Sequence, residues 1–327
     1  MSAVLGTEPT APVRWGFLGA GWIAHRALAP AVHAAAGAVL HAAAAREPAR
    51  ARTLGTTRVY DSYEALVGDP EVEAVYVSLT NEMHLPWTLA ALEAGKHVLC
   101  EKPLGLSAAQ VRTMTEAARR ADRLLVEAAW SRWHPRTRRA QAILASDAIG
   151  TVLSVEAGFT FGRVSERTFR LDPHRGGGAL YDVGPYVVGA ALWAVPAGEV
   201  SVIAVDCERH PDGVDLTTQA RLRIGQATAA TRTSMDEVYG EWLRIAGEHG
   251  RLSLDTPAYT SWLAASTMRL NTETDDLTFE FAPVDAYQLM IEQVSRRIRG
   301  DASAWLVPLE ESLRAAEVMD AIRALCQ

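Results

Sequence analysis

Three side chains in this sequence are suited to moving a proton on or off a substrate oxygen: Lys102, Asp182 and Tyr186. Only two of the 32 basic residues are lysines, Lys96 and Lys102, so cationic positions are otherwise arginine. Arginine stays charged at any working pH, whereas an ammonium is a compact point charge whose pKa responds to burial. Lys102 lies in Ala94-Gly95-Lys96-His97-Val98-Leu99-Cys100-Glu101-Lys102-Pro103-Leu104, which reads as a helix stop at Gly95, a short apolar strand and a turn set by Pro103. That puts Lys102 at the carboxyl end of a strand, where open α/β sheets bind ligands. Lys96 flanks the helix stop, where a cation complements the helix dipole.

Asp182 and Tyr186 follow three consecutive glycines, Gly176 to Gly178, which allow close backbone approach. The two residues are one turn apart if the segment is helical. Pro185 either opens a helix running to Trp193 or kinks one that starts earlier. A phenol with the ordinary pKa of about 10 becomes a useful acid or base when that value is lowered, which a neighbouring ammonium would do. Lys102 is the candidate neighbour. Alone, the segment also reads as a glycine-rich loop entering a core helix.

Between these regions lies Trp130-Ser131-Arg132-Trp133-His134-Pro135. Arg132 and His134 are candidates for the far side of a substrate pocket, and a hinge of packed tryptophans is the equal alternative. His84 follows Asn81 at the end of another strand and faces the same crevice. Neither histidine has metal-ligand spacing and no G-x-S-x-G elbow occurs, so neither a metal site nor a serine hydrolase is read here.

Val13 to Leu18 is a short apolar strand running into Gly19-Ala20-Gly21-Trp22-Ile23-Ala24. In this G-x-G-x-x-A pattern the first glycine permits the turn, the second admits a pyrophosphate, and the small third residue lets helix and strand pack closely. The end of the next strand carries Ala45-Arg46 in place of the acid that would bind the ribose hydroxyls of NAD. Arg46 can pair a 2′-phosphate, which favours NADP(H). The cofactor-binding residues read from these two turns are Gly19, Gly21, Trp22, Ile23, Ala24, Ala45 and Arg46.

Strands alternate with helices up to about Ala129, which implies an α/β, doubly wound parallel sheet over residues 12–129. Ser107 caps a helix with Gln110 three residues on. From Trp130 the apolar pattern turns to period two, over Val152 to Phe161, Val200 to Cys207, Leu216 to Ile224, Ala227 to Met235, Trp242 to Leu254 and Trp262 to Leu270. Two helical stretches, Ala286 to Arg299 and Leu309 to Leu325, close the chain. Residues 130–327 therefore read as an α+β domain built on a large, mostly antiparallel open-faced sheet, with an exposed apolar face suited to self-association.

A net charge of −7 over 327 residues excludes nucleic acid or anionic membrane as the main partner. Cys100, Cys207 and Cys326 are odd in number and widely spaced, so no disulfide framework is read and a reducing, cytoplasmic setting is expected. Met1 to Val13 lacks a basic region with an apolar core and reads as a frayed terminus.

The glycine turn, the Glu101-Lys102-Pro103 segment and the Gly176 to Tyr186 segment together resemble the Gfo/Idh/MocA family. The resemblance implies an N-terminal Rossmann domain, a C-terminal open-faced sheet used for oligomerisation as a dimer or tetramer, and hydride transfer between a nicotinamide and a sugar or polyol carbon. It implies that Lys102 lies by the nicotinamide and the reacting oxygen, and that Pro103 is cis. Many members carry histidine where this chain has Tyr186, which resembles the branch of glucose-fructose oxidoreductases, dihydrodiol dehydrogenases and nucleotide-sugar ketoreductases. The turn usually written Thr-Pro-Asn is Leu79-Thr80-Asn81 here, and the resemblance extends the cofactor-binding set to Leu79, Thr80, Asn81, His84, Glu101 and Lys102. The expected activity is NADP(H)-dependent reduction of a keto group on a nucleotide-linked deoxysugar, with Tyr186 as proton donor, Lys102 lowering its pKa, and Asp182, Arg132 and His134 on the substrate. The alternatives are a dehydrogenase of a free sugar, polyol or trans-dihydrodiol, and a non-catalytic NADP-binding sensor or repressor.

Overall fold

The computed structural model describes residues 11–162, 164 and 168–326. The expectation for the N-terminal stretch lies, up to Thr10, outside the described residues. The first sheet comprises β1 (Val13–Leu18), β2 (Ala38–Ala44), β3 (Arg58–Tyr60), β4 (Ala74–Val77), β5 (His97–Cys100) and β6 (Leu125–Glu127), all parallel, in the order β3-β2-β1-β4-β5-β6. This is the doubly wound order that leaves a crevice at the carboxyl ends of β1 and β4. Its central strands are continuous apolar runs, as in Ala-Val-Tyr-Val of β4, because helices cover both faces. Ser107 caps the helix Ala108–Ala121 as predicted, its Oγ accepting from Gln110 N at 3.2 Å. Lys96 does not serve the helix dipole. It is buried, and Nζ donates to the carbonyls of Asp69 (2.6 Å) and Val72 (2.8 Å), closing the loop before β4.

The second sheet comprises β7 (Val152–Thr160), β8 (Val200–Arg209), β9 (Asp215–Ile224), β10 (Ala227–Ser234), β11 (Gly240–Gly247), β12 (Gly250–Leu254), β13 (Ser266–Thr272) and β14 (Asp276–Phe281). The order is β14-β13-β12-β11-β7-β10-β9-β8, antiparallel except for β7 beside β10. The run read as one strand from Trp242 folds into two, β11 and β12, and β14 was not predicted. The helix Ala179–Ala194 lies against the inner face, with the helix Leu309–Leu325 packed on it. Pro185 is inside that first helix, not at its start.

The outer face differs from the apolar surface expected. Alternation sends Arg221 and Arg223 of β9, Arg244 of β11, Arg251 of β12 and Arg269 of β13 outward, while Leu222, Ile245, Leu252 and Leu270 go to the core. The cysteine expectation is also corrected. Cys207 on β8 and Cys326 at the end of the last helix form a disulfide with Cα atoms 5.5 Å apart. A separation of 119 residues hides this pair in the sequence, and only the packing of the last helix along β8 delivers it. Cys100 is free and buried.

Candidate active site

A crevice of about 1140 Å³ opens at the carboxyl ends of β1, β2, β4 and β5 and is walled on its other side by residues drawn from 159–161, 168–186 and 260–262, with Tyr239 and Tyr287. Gly19 turns the chain there at φ +97°, and a Cβ on it would lie 2.3 Å from Ser78 O. At Gly21 a Cβ would meet nothing, so this backbone is open to a ligand, while Trp22 is 73 % exposed beside it. Ile23 also lines the crevice. Ala24 does not: it is buried, and its small size serves helix packing. Ala45 and Arg46 line the next segment, joined by Glu47, Arg50 and Tyr63, which the sequence reading missed. These donors suit a dinucleotide: an open glycine turn for the pyrophosphate, and two guanidiniums at the end of β2 for an added phosphate.

Leu79, Thr80, Asn81 and Glu101 form the floor. Asn81 Nδ2 donates to Gly176 O at 2.8 Å, tying this turn to the triple-glycine loop. The close backbone approach expected of that loop is made to the chain itself, since a Cβ on Gly177 would lie 2.4 Å from Arg170 O. Glu101 accepts from Tyr76 Oη at 2.6 Å, and burial raises its carboxyl pKa. His84 is a correction. It is wholly buried between the carbonyls of Pro103 (2.8 Å) and Leu79 (3.2 Å), so it braces the two turns and reaches no ligand.

Lys102 and Tyr186, predicted neighbours from distant segments, do meet. The Lys102-Pro103 peptide is cis. Lys102 Nζ donates to Asp182 O at 2.6 Å and Asp182 Oδ1 at 3.2 Å, and lies 5.4 Å from the centre of the Tyr186 ring. Asp182 Oδ2 accepts from Arg170 Nε at 2.6 Å. Burial opposes ionisation of Asp182, but the charges of Lys102 and Arg170 outweigh it and hold the carboxyl below its usual range. Each of its oxygens accepts from one cation, so Asp182 holds Lys102 and Arg170 in position while still lining the crevice.

The ammonium faces Asp182 and the ring, not the phenol oxygen, and the expected lowering of the Tyr186 pKa is absent. Burial pushes the phenol well above its ordinary value, the charges of Glu101 and Asp182 add to this, and a hydrogen bond from Trp130 opposes it. Trp130 Nε1 donates to Tyr186 Oη at 2.8 Å, and its ring stacks on Tyr287 at 4.4 Å. The indole takes an acceptor position on the phenol and leaves the phenolic hydrogen free to be donated.

Arg132 and His134 lie outside this crevice. Arg132 Nη1 donates to Glu311 Oε2 at 2.7 Å, and His134 caps the helix Pro135–Ala145 by accepting from Arg136 N at 3.0 Å. A tight turn through Trp130–Trp133 sends Trp130 forward and these two back. The crevice wall is instead aromatic, with Phe159, Phe161, Tyr239, Trp262 and Tyr287, plus Arg170. None of these stands in a motif, and only the period-two pattern of β7 marked Phe159 as facing inward.

The comparisons agree with this architecture. The family described as "Oxidoreductase family, NAD-binding Rossmann fold" matches residues 13–128, and the GFO/IDH/MocA C-terminal domain matches residues 137–253. D-xylose 1-dehydrogenase (NADP(+)) 2 of Haloferax volcanii is 34% identical, covering 94% of this chain and 95% of that one. Trans-1,2-dihydrobenzene-1,2-diol dehydrogenase of Danio rerio is 31% identical over 95% and 94%. A 3-ketoreductase from Actinomadura kijaniata, solved with NADP and TDP-benzene, superposes with a TM-score of 0.85 at 28% identity over 96% of this chain and 97% of that one. The fold and site define an oxidoreductase of CH–OH groups. The chain belongs to the Gfo/Idh/MocA oxidoreductase family.

Two outcomes follow. Trp130→Phe keeps an aromatic ring but removes the donor, so kcat is expected to fall roughly fivefold, in line with one hydrogen bond of about 1 kcal/mol, while cofactor affinity in a fluorescence titration stays unchanged. Burial lowers the pKa of both His84 and His134 to about 4. The unfolded chain then binds more protons than the folded one between about pH 6.5 and 4, so stability is full above that window and lost as pH falls through it. Urea unfolding at pH 7 and pH 4.5 should show a loss of about 2–3 kcal/mol per histidine, and His84→Gln should remove one share of it.

Proposed function

We propose that this chain is an NADP(H)-dependent reductase of a keto group on a nucleotide-linked sugar. One observation carries the reading: Tyr186 and Lys102 converge over the crevice, with the phenolic hydrogen left free by Trp130. The turn Gly19–Ile23 would hold the pyrophosphate, Arg46 and Arg50 the 2′-phosphate, and Leu79, Thr80, Asn81 and Glu101 would lie by the nicotinamide. Bound there, the nicotinamide supplies hydride chemistry. Tyr186 donates its proton to the substrate oxygen as negative charge develops on it, and Lys102 stabilises that charge while Asp182 orients the ammonium. The raised phenol pKa keeps the proton in place until an oxyanion of higher basicity forms, so Tyr186 works as an acid in the reductive direction.

Support for the substrate class comes from the ketoreductase neighbour, whose matched structures include variants with a lysine or a tyrosine replaced. Support for the second reading, oxidation of a free sugar, polyol or trans-dihydrodiol, comes from the xylose and dihydrodiol dehydrogenases at higher identity. A non-catalytic sensor would have no need of both Lys102 and Tyr186. A dimer or tetramer is inferred from the family resemblance rather than from an apolar outer face, and the cytoplasmic setting no longer has the cysteines in its support, since Cys207 and Cys326 are bridged.

A panel of keto nucleotide sugars, free aldoses, polyols and dihydrodiols, each with NADPH or NADP⁺, tests the reading. Turnover of the nucleotide sugars alone supports it, and turnover of free aldoses or diols alone selects the second reading. Tyr186→Phe should lower kcat on the true substrate by about 10²–10⁴-fold with NADPH binding unchanged. Arg46→Asp should weaken NADPH by roughly ten- to a hundredfold, as the loss of a charged hydrogen bond of about 1.5–3 kcal/mol implies, and leave NADH nearly unaffected. A wild-type preference for NADH would overturn the assignment of Arg46.

A further inference from the structure

A second cavity of about 60 Å³ lies behind the catalytic pair, between the helix Ala179–Ala194, the segment Lys102–Ser107, the Trp130 turn and the last helix. Lys102 and Tyr186 line both this cavity and the crevice, so they form the partition between the two spaces. Its volume is enough for roughly four waters. Among its lining residues Arg132 Nε is buried without a hydrogen-bond partner among the described residues, and Ser312 Oγ lies within reach of the Glu127 carboxyl. Pro185, also in the lining, has no N–H to give the carbonyl of Tyr181 four residues earlier. Buried polar groups of this kind are ordinarily satisfied by internal water. Glu311, paired with Arg132 and 41% exposed, stands where the cavity nears solvent.

Proton balance gives the cavity a use. If Tyr186 protonates the substrate oxygen as proposed above, its O–H bond breaks and a new O–H bond forms on that oxygen. Hydride transferred from a bound reduced nicotinamide, which is thereby oxidised, would supply the electron pair of the new C–H bond as its own C–H bond breaks. The phenolate left on Tyr186 must then take up one proton per turnover. With cofactor and substrate filling the crevice, the front of the phenol is closed. We propose that the rear cavity holds a chain of ordered water from Tyr186 and Lys102 past Glu127 and Ser312 to the Arg132–Glu311 pair, and that Tyr186 regains its proton through it. Each transfer moves a proton from one oxygen to the next and the last is replaced from bulk, so no further reactant is needed. The inference rests on the reductase reading.

The test plugs the cavity from a position outside the reacting groups. A Cβ at Gly189, on the helix wall, meets nothing within 4 Å, so Gly189→Leu fills the space, while Ser312→Ala removes one relay hydroxyl at constant fold. A crystal structure of the wild-type chain without ligands should show ordered waters bonded to Ser312 and reaching Tyr186 or Lys102, and Gly189→Leu should displace them. In turnover, both variants should lose roughly ten- to a hundredfold in kcat and show a larger effect of D₂O on kcat, with KM, NADPH affinity and Tm near wild type. Gly189→Ala, which fills only part of the space, should keep most of the rate. A dry cavity in the wild type, or a filled one with kcat and the D₂O effect unchanged, would overturn the relay alone. A wild-type chain that reduces no carbonyl with NADPH would overturn the reductase reading, and the relay with it.

Discussion

The contact between Lys102 and Asp182 carries the organisation of the site. Lys102 follows β5 of the first sheet, and Asp182 opens the helix that packs under the second. A partly buried ammonium is costly unless an opposite charge and good acceptors meet it. Here a carbonyl, one carboxylate oxygen and the Tyr186 ring do so. Arg170 engages the second oxygen of Asp182, so two cations share one carboxylate and the cluster stays net positive beside the crevice. Removal of Asp182 would leave Lys102 without its counter-charge, whereas Asp182 would keep Arg170, so the contact that joins the two halves of the crevice depends on the carboxylate.

Around that contact, the polar groups divide by what they support. Asn81, His84 and Glu101 brace the loops at the ends of β4 and β5 through backbone and tyrosine contacts. On the other wall, Glu241 is buried and accepts from Tyr239 Oη at 2.8 Å and from the backbone of Tyr259 and Thr260 at 2.6 and 2.9 Å. It thereby fixes an aromatic rim on a loop that would otherwise have few restraints. Arg136 gathers the same loop from beneath, with Nη2 donating to Pro257 O, Ala258 O and Ser261 Oγ. The wall facing a substrate is therefore stiff although much of it is irregular backbone, and rigidity of this kind is what holds reacting groups at working distance.

What could be read in the chain were features whose physics is local. The glycine turn, the Glu101-Lys102-Pro103 strand end, the Ser107 cap and the long last helix each follow from neighbours within a few residues. The alternation of strands and helices likewise determined the parallel sheet, and the change to period two marked the second one. The approach of Lys102 to Tyr186 was inferable only as a conditional statement, since 84 positions of numbering separate them and nothing local joins them.

Tertiary structure decided the rest because side-chain direction and non-local pairing are not written in spacing. Arg132 and His134 stand two and four residues after Trp130, yet the tight turn there sends only the tryptophan into the crevice. Asp182 is met by two cations that arrive from other segments, a pairing no local pattern shows. Cys207 and Cys326 became neighbours through the packing of a helix on a sheet edge. The sign of the Tyr186 pKa shift depended on how deeply the ring is enclosed and on which way one ammonium points. By itself the sequence determined the elements, the cofactor turn and the residue types able to do the chemistry. Their orientation, their partners and the division of the interior into a crevice and a rear cavity came only from packing in three dimensions.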